Sequence, residues 1–232
     1  MKEIKDRELL QNYLHAHTIE SAFSEQLLPH LSLYSFDQGE LICSQGDASQ
    51  FLYVLVKGKI KIYTTSAEGK ALILSFKKPL EVIGDIEYVQ GIDIINTVEA
   101  VSSVIMIGVH YRPLKEYGSD YAPLLQFLLD IITRKFYIKS NSMRFNLMYP
   151  VEVRLASYLL SISYDESGAP LQEQSNTIKL IDAANLIGTS YRHLNRVIHQ
   201  FCTEGLIERN KGLILVKNRE GLSALASHNI YE

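Results

Sequence analysis

The stretch LIDAANLIGTSYRHLNRVIHQF, residues 180–201, decides the fold of the C-terminal part of this chain. Apolar residues recur at helical spacing on both sides of Gly188, which predicts a helix of about eight residues, a tight turn and a second helix. Ser190 begins the second helix, where its hydroxyl is a good N-cap. Two helices joined in this way form the unit that places its second helix in the major groove of DNA.

The polar side of this second helix carries groups suited to base recognition. Arginine can contact guanine through two hydrogen bonds, and asparagine can contact adenine in the same way. Downstream, LIERNKGLILV has the pattern of two short strands around a turn, a wing that would bring a lysine and free backbone amides to a phosphate. The predicted DNA-binding residues are Lys179, Thr189, Ser190, Tyr191, Arg192, His193, Asn195, Arg196, Asn210, Lys211 and Gly212.

The distribution of charge agrees with a local DNA site. Residues 178–222 contain seven Lys and Arg against four Asp and Glu, a net charge of +3, whereas the whole chain carries −3. This balance excludes a protein that coats nucleic acid along its whole length. The alternative at this point is a basic surface that binds nothing.

The hydrophobic period changes from 3.6 to 2 between residues 31 and 109. Many short strands separated by turn signals are typical of a sandwich or roll. The predicted strands are LSLYSF, ELIC, FLYVLV, KIKIY, ALILSF, TVEA and VIMIGV. Before them, residues 6–14 and 18–30 are predicted to be helical, the second with Ile19, Phe23 and Leu27 on one side.

A long helical pattern follows Pro113 and runs to about residue 147, with Pro123 marking either its start or a kink. Apolar residues at alternating steps of four and three predict a coiled-coil seam between two copies of the chain. A second stripe that includes Leu125, Leu129 and Phe136 is expected to pack on the roll, although a helix buried within one chain is the alternative. The predicted dimer seam is Tyr117, Tyr121, Leu124, Leu128, Ile131, Lys135 and Ile138.

Composition narrows the class of protein. A chain of 232 residues with 47% hydrophobic residues suits two modest domains. The charged start MKEIKDRELL and the shortness of the apolar run VIMIGV predict a cytoplasmic protein that does not enter a membrane. Cys43 and Cys202 have no metal-ligand spacing, so we expect neither metal nor cofactor. Motifs of nucleotide hydrolysis and of nucleophilic catalysis are missing, and we therefore do not expect an enzyme.

The run FDQGELICSQGDASQFLYVLVKGKIKIY, residues 36–63, resembles the cyclic-nucleotide-binding-type roll of the Crp/Fnr superfamily. Gly39-Glu40, Gly46-Asp47 and Gly58 stand at the intervals that carry this resemblance. With the long helix and the winged helix, it covers nearly the whole chain. SYRHLNRVIHQF and the segment that begins GLIERNKGLILV are most similar to the YeiL-type branch of that superfamily.

The resemblance implies an effector pocket at VIGDIEYVQGIDIINTVEA, in which Gly84, Asp85, Ile94, Ile95 and Asn96 are the candidate residues. Members that bind cyclic AMP hold the ribose with Gly-Glu and neutralise the phosphate with Arg-Ser. Here Asp85 stands for the glutamate, and Ile94-Ile95 or Ile95-Asn96 stands for Arg-Ser. An anionic phosphate would lose a charge-assisted contact, so we do not expect binding of cyclic AMP.

The same resemblance includes two other kinds of sensor. Its iron–sulfur members need a cluster of cysteines that two distant cysteines cannot supply. A haem sensor is an alternative because the sequence contains His15, His17, His30 and His110, although single histidines are more often surface or core residues.

We therefore predict an α+β protein with three parts. Residues 1–112 form a sensor β-roll, a jelly roll like those that bind cyclic nucleotides, with N-terminal helices; 113–147 form a dimerisation helix, and 148–232 a winged helix-turn-helix domain. The expected function is sequence-specific regulation of transcription. Its expected partners are a two-fold-symmetric double-stranded DNA operator, a second copy of the chain, RNA polymerase and an unidentified small-molecule effector. The alternative is a ligand-binding module that controls a partner protein, a class that would lack the basic winged helix.

Overall fold

The computed structural model describes residues 1–69, 71–163, 180–210 and 213–226. The chain divides into two compact units, Met1–Phe136 and Tyr137–Glu232. No helix in these described ranges is both long enough and apolar enough to cross a membrane.

Two antiparallel sheets form the body of the first unit. One sheet has the strand order β1-β2-β9-β4-β7 and the other has the order β3-β8-β5-β6. The strands are β1 (Lys2–Ile4), β2 (Ser32–Phe36), β3 (Leu41–Cys43), β4 (Phe51–Lys57), β5 (Ile60–Thr65), β6 (Ala71–Lys77), β7 (Glu81–Ile83), β8 (Thr97–Ala100) and β9 (Val104–His110). All seven predicted strands are therefore confirmed, and the three-residue strands β1 and β7 were missed.

Strand β4 shows why the alternating pattern produces this architecture. Leu52, Val54 and Val56 point to a core shared with the helices, whereas Tyr53 and Leu55 point to a second core between the sheets. Successive side chains of a strand face opposite sides, so a strand that is apolar at every position has both faces buried. The roll therefore has a helical layer on one side of β4 and the second sheet on the other.

The N-terminal segment forms a single α-helix, α1 (Arg7–Ala16), in which the carboxylate of Asp6 accepts a hydrogen bond from the Leu9 amide at 2.8 Å. The predicted helix over 18–30 is wrong, because this segment forms only two short 3₁₀ turns, Glu20–Ala22 and Leu28–His30. Thr18 has a left-handed backbone with φ of 55°, and Pro29 lacks an amide hydrogen, so neither supports a continuous α-helix. The apolar residues of the segment are nevertheless buried in the core of the roll.

Three α-helices complete the first unit: α2 (Asp85–Gln90), α3 (Tyr111–Gly118) and α4 (Ala122–Met148), the last of which continues into the second unit. Of the two alternatives predicted at Pro123, the first is confirmed: the long helix starts there, and the part of the pattern before it forms the separate helix α3. Pro123 lies in the first turn of α4, where its missing amide hydrogen costs nothing.

The two apolar stripes of the long helix are reversed relative to the prediction. Leu124, Leu128 and Ile131 are buried in the core of the roll, with exposed fractions of 4% or less. Leu129 and Phe136, expected to pack on the roll, have exposed fractions of 54% and 73%. Both stripes have the same spacing, so periodicity alone does not determine which one faces the roll.

The other predicted seam residues either contact side chains or carbonyls of their own chain or lie in the second unit. Tyr117 belongs to α3 and stacks on His30 with ring centroids 5.3 Å apart, and the Tyr121 hydroxyl donates to the Ser21 carbonyl at 3.1 Å. Ile138 lies in the second unit and is half-buried. Tyr117, Tyr121, Leu124, Leu128, Ile131 and Lys135 therefore belong to the roll's own packing.

Lys135 fixes the orientation of α4 on the roll. Its ammonium lies 2.9 Å from both carboxylate oxygens of Asp85 and 3.1 Å from Oε1 of Glu81, and it donates to the Val82 carbonyl. Lys77 lies 3.5 Å from the same glutamate. Both carboxylates are buried, and a buried charge without a partner is costly, so a cation beside them stabilises this arrangement. Lys135, predicted to lie in the dimer seam, instead provides that cation.

The second unit contains the end of α4, a helical core and a two-stranded hairpin. Its further elements are α5 (Val151–Ser163), α6 (Leu180–Leu186), α7 (Tyr191–Thr203), β10 (Ile207–Asn210), β11 (Leu213–Val216) and α8 (Arg219–Leu225). Leu155, Leu159, Ile187, Leu194 and Phe201 are among the residues of its buried core.

Replacing the cation at position 135 tests the ion cluster. Lys135→Met would leave Asp85 buried without a cation and Glu81 with Lys77 alone, and removal of one partner of a buried pair costs about 3–5 kcal/mol. We expect a loss of this size in the free energy of opening of β4, measured by native-state hydrogen exchange.

Two controls distinguish the loss of this ion cluster from the loss of any positive charge. The same exchange in a variant with exposed Lys115→Met should change by less than about 0.5 kcal/mol. Addition of Asp85→Asn to Lys135→Met should recover part of the loss, because one buried charge is then removed. Unchanged protection in Lys135→Met would show that water already solvates the two carboxylates.

Candidate nucleic-acid interface

Helices α6 and α7 are joined by a turn that one buried arginine holds in place. Gly188 adopts the left-handed conformation with φ of +67°, as the sequence predicted for a tight turn. Arg154 of α5 is 8% exposed, and its guanidinium donates to the Ile187 carbonyl and lies 3.4 Å from the Gly188 carbonyl. These carbonyls follow the last turn of α6 and lack helical partners, so Arg154 both caps that helix and positions the turn.

Helix α7 has one buried and one open side. Leu194, Val197, Ile198 and Phe201 are buried in the core of the second unit, as the sequence predicted. The predicted cap is confirmed, because the Ser190 hydroxyl accepts a hydrogen bond from the His193 amide at 3.2 Å. The helix is thus packed along one side and capped at the end that a groove-binding helix directs toward DNA.

The open side of α7 carries two arginines one helical turn apart. Arg192 and Arg196 are exposed, and neither has a hydrogen bond or ion pair among the residues that the structure describes. Tyr191 is 48% exposed, while His193 and Thr189 are half-buried. Residues four apart lie on the same helical face, so the two guanidinium groups form one positive surface.

Asn195 has partners within the protein. Its Nδ2 donates to the Tyr191 carbonyl at 3.0 Å, and its Oδ1 accepts from Nη1 of Arg209 at 3.0 Å. Sequence reasoning missed Arg209 as a site residue, because a charged residue in a short strand does not reveal which element it faces. The structure brings this exposed arginine of β10 to the recognition helix.

The predicted wing is present as an antiparallel hairpin of β10 and β11, in which Arg209 is paired with Ile214. Across the hairpin, Lys217 lies 3.0 Å from Glu208 in an exposed ion pair. Asn210 is exposed at the end of β10. Lys179, Lys211 and Gly212, also predicted to contact DNA, lie outside the described residues.

The predicted effector residues lie around α2, and several are already engaged. Asp85 is held by Lys135, and the Gly84 carbonyl accepts a hydrogen bond from the Tyr111 hydroxyl at 2.6 Å. Ile94 is buried, Ile95 is 38% exposed, and Asn96 accepts a weak hydrogen bond from the Cys43 thiol at 3.8 Å. These residues share one region of the roll. The Asp85 carboxylate, which stands at the position that would contact a ribose, is paired with the amine of Lys135.

A cavity of about 180 Å³ lies beside this region. It is smaller than the roughly 300–1,000 Å³ of typical small-molecule pockets. Its lining contains one carboxylate, that of Asp47, and no lysine or arginine; burial raises the pKa of the Cys43 thiol in the lining to about 12. The lining residues are Ile42, Cys43, Asp47, Ala48, Gln50, Phe51, Tyr53, Ile83 and Ile94. These groups offer no positive charge to an anionic ligand.

Known family models match two separate segments of the chain, one in each compact unit. Residues 33–117 match the cyclic nucleotide-binding domain, and residues 153–225 match the Crp-like helix-turn-helix domain.

The regulatory protein YeiL of Escherichia coli O157:H7 is 30% identical to this chain over 214 residues, which cover 89% of this chain and 93% of that relative. A CRP-like cAMP-activated global transcriptional regulator of Mycobacterium tuberculosis is 21% identical, covering 89% and 91%.

Solved structures support the fold. A putative transcriptional regulator of the Crp/Fnr family from Eubacterium rectale gives a TM-score of 0.75 at 19% identity, covering 93% of this chain and 99% of that chain. The c-di-GMP-responsive regulator CLP of Xanthomonas campestris gives 0.71 at 16%, covering 83% and 96%. The relatives are regulators, which confirms that the chain is not an enzyme. The chain belongs to the Crp/Fnr family of transcription regulators, with a cyclic-nucleotide-binding-type sensor domain and a DNA-binding helix-turn-helix domain.

Proposed function

We propose that this regulator acts as a homodimer that recognises a two-fold-symmetric operator through Arg192 and Arg196. The observation that carries the proposal is the exposure of both arginines on one side of a capped helix, with no partner among the described residues. A guanidinium without a carboxylate beside it keeps its donors free for the O6 and N7 acceptors of guanine.

The three parts of the chain have different proposed roles. Residues 1–112 sense a signal, 113–147 pair the two copies, and 148–232 bind DNA. The signal changes the geometry of the dimer and thereby its affinity for DNA. The protein acts in the cytoplasm, where it meets the chromosome and, as a further partner, RNA polymerase.

Mutation of either arginine tests base recognition. On an operator selected from random DNA, Arg192→Ala or Arg196→Ala should cost about 1–3 kcal/mol per half-site, because a two-bond contact to guanine is lost. The variant should also lose its preference at the one base pair that the replaced arginine contacts, so that all four bases are bound equally well there. Binding to single-base variants of the operator and to unrelated DNA provides the measurement.

The control for these variants is Arg112→Ala, which removes an exposed arginine of the roll and should leave operator binding unchanged. Equal losses on operator and unrelated DNA would make Arg192 and Arg196 phosphate contacts, and base recognition would then lie with other residues.

The exposed stripe of α4 is the proposed dimer surface. Leu125, Leu129 and Phe136 stand at the spacing of a coiled-coil seam and are open to solvent in the single chain, with Ile132 half-buried among them. Burial of such a stripe against a symmetry-related copy gives a two-fold axis, and two recognition helices then meet half-sites about one DNA turn, roughly 34 Å, apart.

Substitutions on the two stripes of α4 should have different consequences. Leu129→Asp with Phe136→Asp should give a folded monomer with at least tenfold weaker operator binding, because the charges oppose each other across the seam. Leu128→Asp should instead unfold the roll, since this side chain is 3% exposed within the chain. Sedimentation and circular dichroism distinguish the two results.

The control is Gln126→Asp, which introduces one such charge at an exposed polar position of α4, beside Asp130, and should remain dimeric. A dimeric Leu129→Asp, Phe136→Asp variant would remove this stripe from the interface.

Cyclic AMP is not the proposed signal. Ile94 and Ile95 stand in the region where related regulators neutralise a phosphate, Asp85 is paired with Lys135, and the adjacent cavity has no cation in its lining. Isothermal calorimetry should detect no binding of cyclic AMP or cyclic GMP at physiological concentrations, because the phosphate would be desolvated without a counter-charge. The Mycobacterium tuberculosis relative serves as positive control, and micromolar affinity of this chain for either nucleotide would contradict the assignment.

A further inference from the structure

The amide of Asn195 links the recognition helix to the wing. Its Nδ2 is directed back along α7 to the Tyr191 carbonyl, and its Oδ1 accepts from Nη1 of Arg209 in β10, both at 3.0 Å. Recognition of adenine would use this amide oxygen and nitrogen together. Both atoms instead have partners inside the protein, so Asn195 orients an arginine.

The charge of Arg209 is not compensated in the described part of the chain. The neighbouring carboxylate, Glu208, lies 3.0 Å from Lys217 across the hairpin. No described carboxylate lies within 4.0 Å of the Arg209 guanidinium, which bonds instead to the neutral amide of Asn195. A guanidinium has five N–H donors, so one bond to Asn195 leaves four for another acceptor.

An arginine held by a neutral partner is prepared to bind an anion. An amide fixes the position of the guanidinium without neutralising it, whereas a carboxylate would do both. Because Arg209 is exposed and already oriented, it loses less side-chain freedom on binding than a mobile lysine would. Asn195, which bonds to it, lies between Arg192 and Arg196 on the helix that enters the groove.

We propose that Arg209 is a further DNA-binding residue, which contacts a backbone phosphate beside the recognition helix and is positioned by Asn195. The proposal rests on the DNA-binding function proposed above and adds to it a contact that is independent of sequence. Wing residues approach the sugar-phosphate backbone, which fixes the register of a protein on DNA. Arg209 therefore sets how deeply and at which angle α7 enters the groove.

The salt dependence of binding tests the phosphate contact. Arg209→Ala should weaken binding to operator and unrelated DNA by the same factor, about tenfold, and should reduce the slope of log K against log salt by about 0.9 for each half-site. Arg209→Lys should keep the slope, because the charge remains, with a smaller loss of affinity. Arg112→Ala in the roll, which removes an equal charge, should change neither quantity.

A double-mutant cycle tests the positioning role of Asn195. Asn195→Ala should weaken binding about threefold with an unchanged salt slope and unchanged base preference, because Arg209 is present but less ordered. In the Arg209→Ala background the same substitution should have no further effect. If Asn195→Ala relaxed preference at one base pair in that background, Asn195 would be a base-reading residue and the positioning role would be wrong.

The outcomes separate this inference from the proposed function. If the wild-type chain selects no DNA sequence, the proposed function fails. If the wild-type chain binds its operator while Arg209→Ala keeps both its affinity and its salt slope, the proposed function stands and Arg209 does not bind DNA. Circular dichroism of each variant verifies that the second unit remains folded.

Discussion

The orientation of α4 on the roll depends on the pairing of Lys135 with Asp85 and Glu81. Two buried carboxylates without a cation would be costly, and the amine of Lys135 reaches both when the Leu124 and Leu128 side of the helix faces the roll. The helix therefore presents Leu129 and Phe136 to solvent, where a second copy of the chain can cover them. The same interaction occupies the carboxylate of Asp85, which stands where related regulators are expected to hold a ribose with a glutamate. One cluster of charges thus favours the exposed side of the helix and occupies a carboxylate of the predicted effector pocket.

Three cations of the second unit have different kinds of partner. Arg154 is buried and donates to backbone carbonyls of the turn after α6, which fixes the turn. Arg209 is exposed and bonds to the amide of Asn195, which fixes its position without removing its charge. Lys217, by contrast, is paired with Glu208. Among these three cations, only Arg209 is both exposed and held by a neutral partner, and it is the one that we propose to bind DNA.

The sequence predicted the elements whose side chains follow a clear period. Strand β4 is an example, since its continuous apolar run is buried on both faces, and the apolar side of α7 is another. The segment 18–30 was predicted as a helix because its apolar residues are spaced as in a helix, yet its backbone turns at Thr18. Its apolar residues are nevertheless buried in the core of the roll, since a chain can bury apolar side chains without a continuous helix.

Contacts between distant residues were beyond what a pattern can predict. The two stripes of α4 have equal spacing, and the carboxylates that select one of them lie about fifty residues earlier in the chain. In the same way, the bond between Asn195 and Arg209 joins residues whose elements are adjacent only in the folded unit. Asn195 was predicted to be a DNA-binding residue because an amide can contact adenine, but the hydrogen bonds of its amide support a positioning role.

Selection of bound sequences from random double-stranded DNA by the purified chain would show whether this regulator recognises DNA as a two-fold dimer. We expect one enriched motif with two inverted half-sites whose centres lie about 10 base pairs apart, because a two-fold dimer presents two α7 helices one DNA turn apart. Recovery of no enriched motif, or of a single half-site without symmetry, would contradict the claim that this regulator recognises DNA as a dimer through its recognition helices.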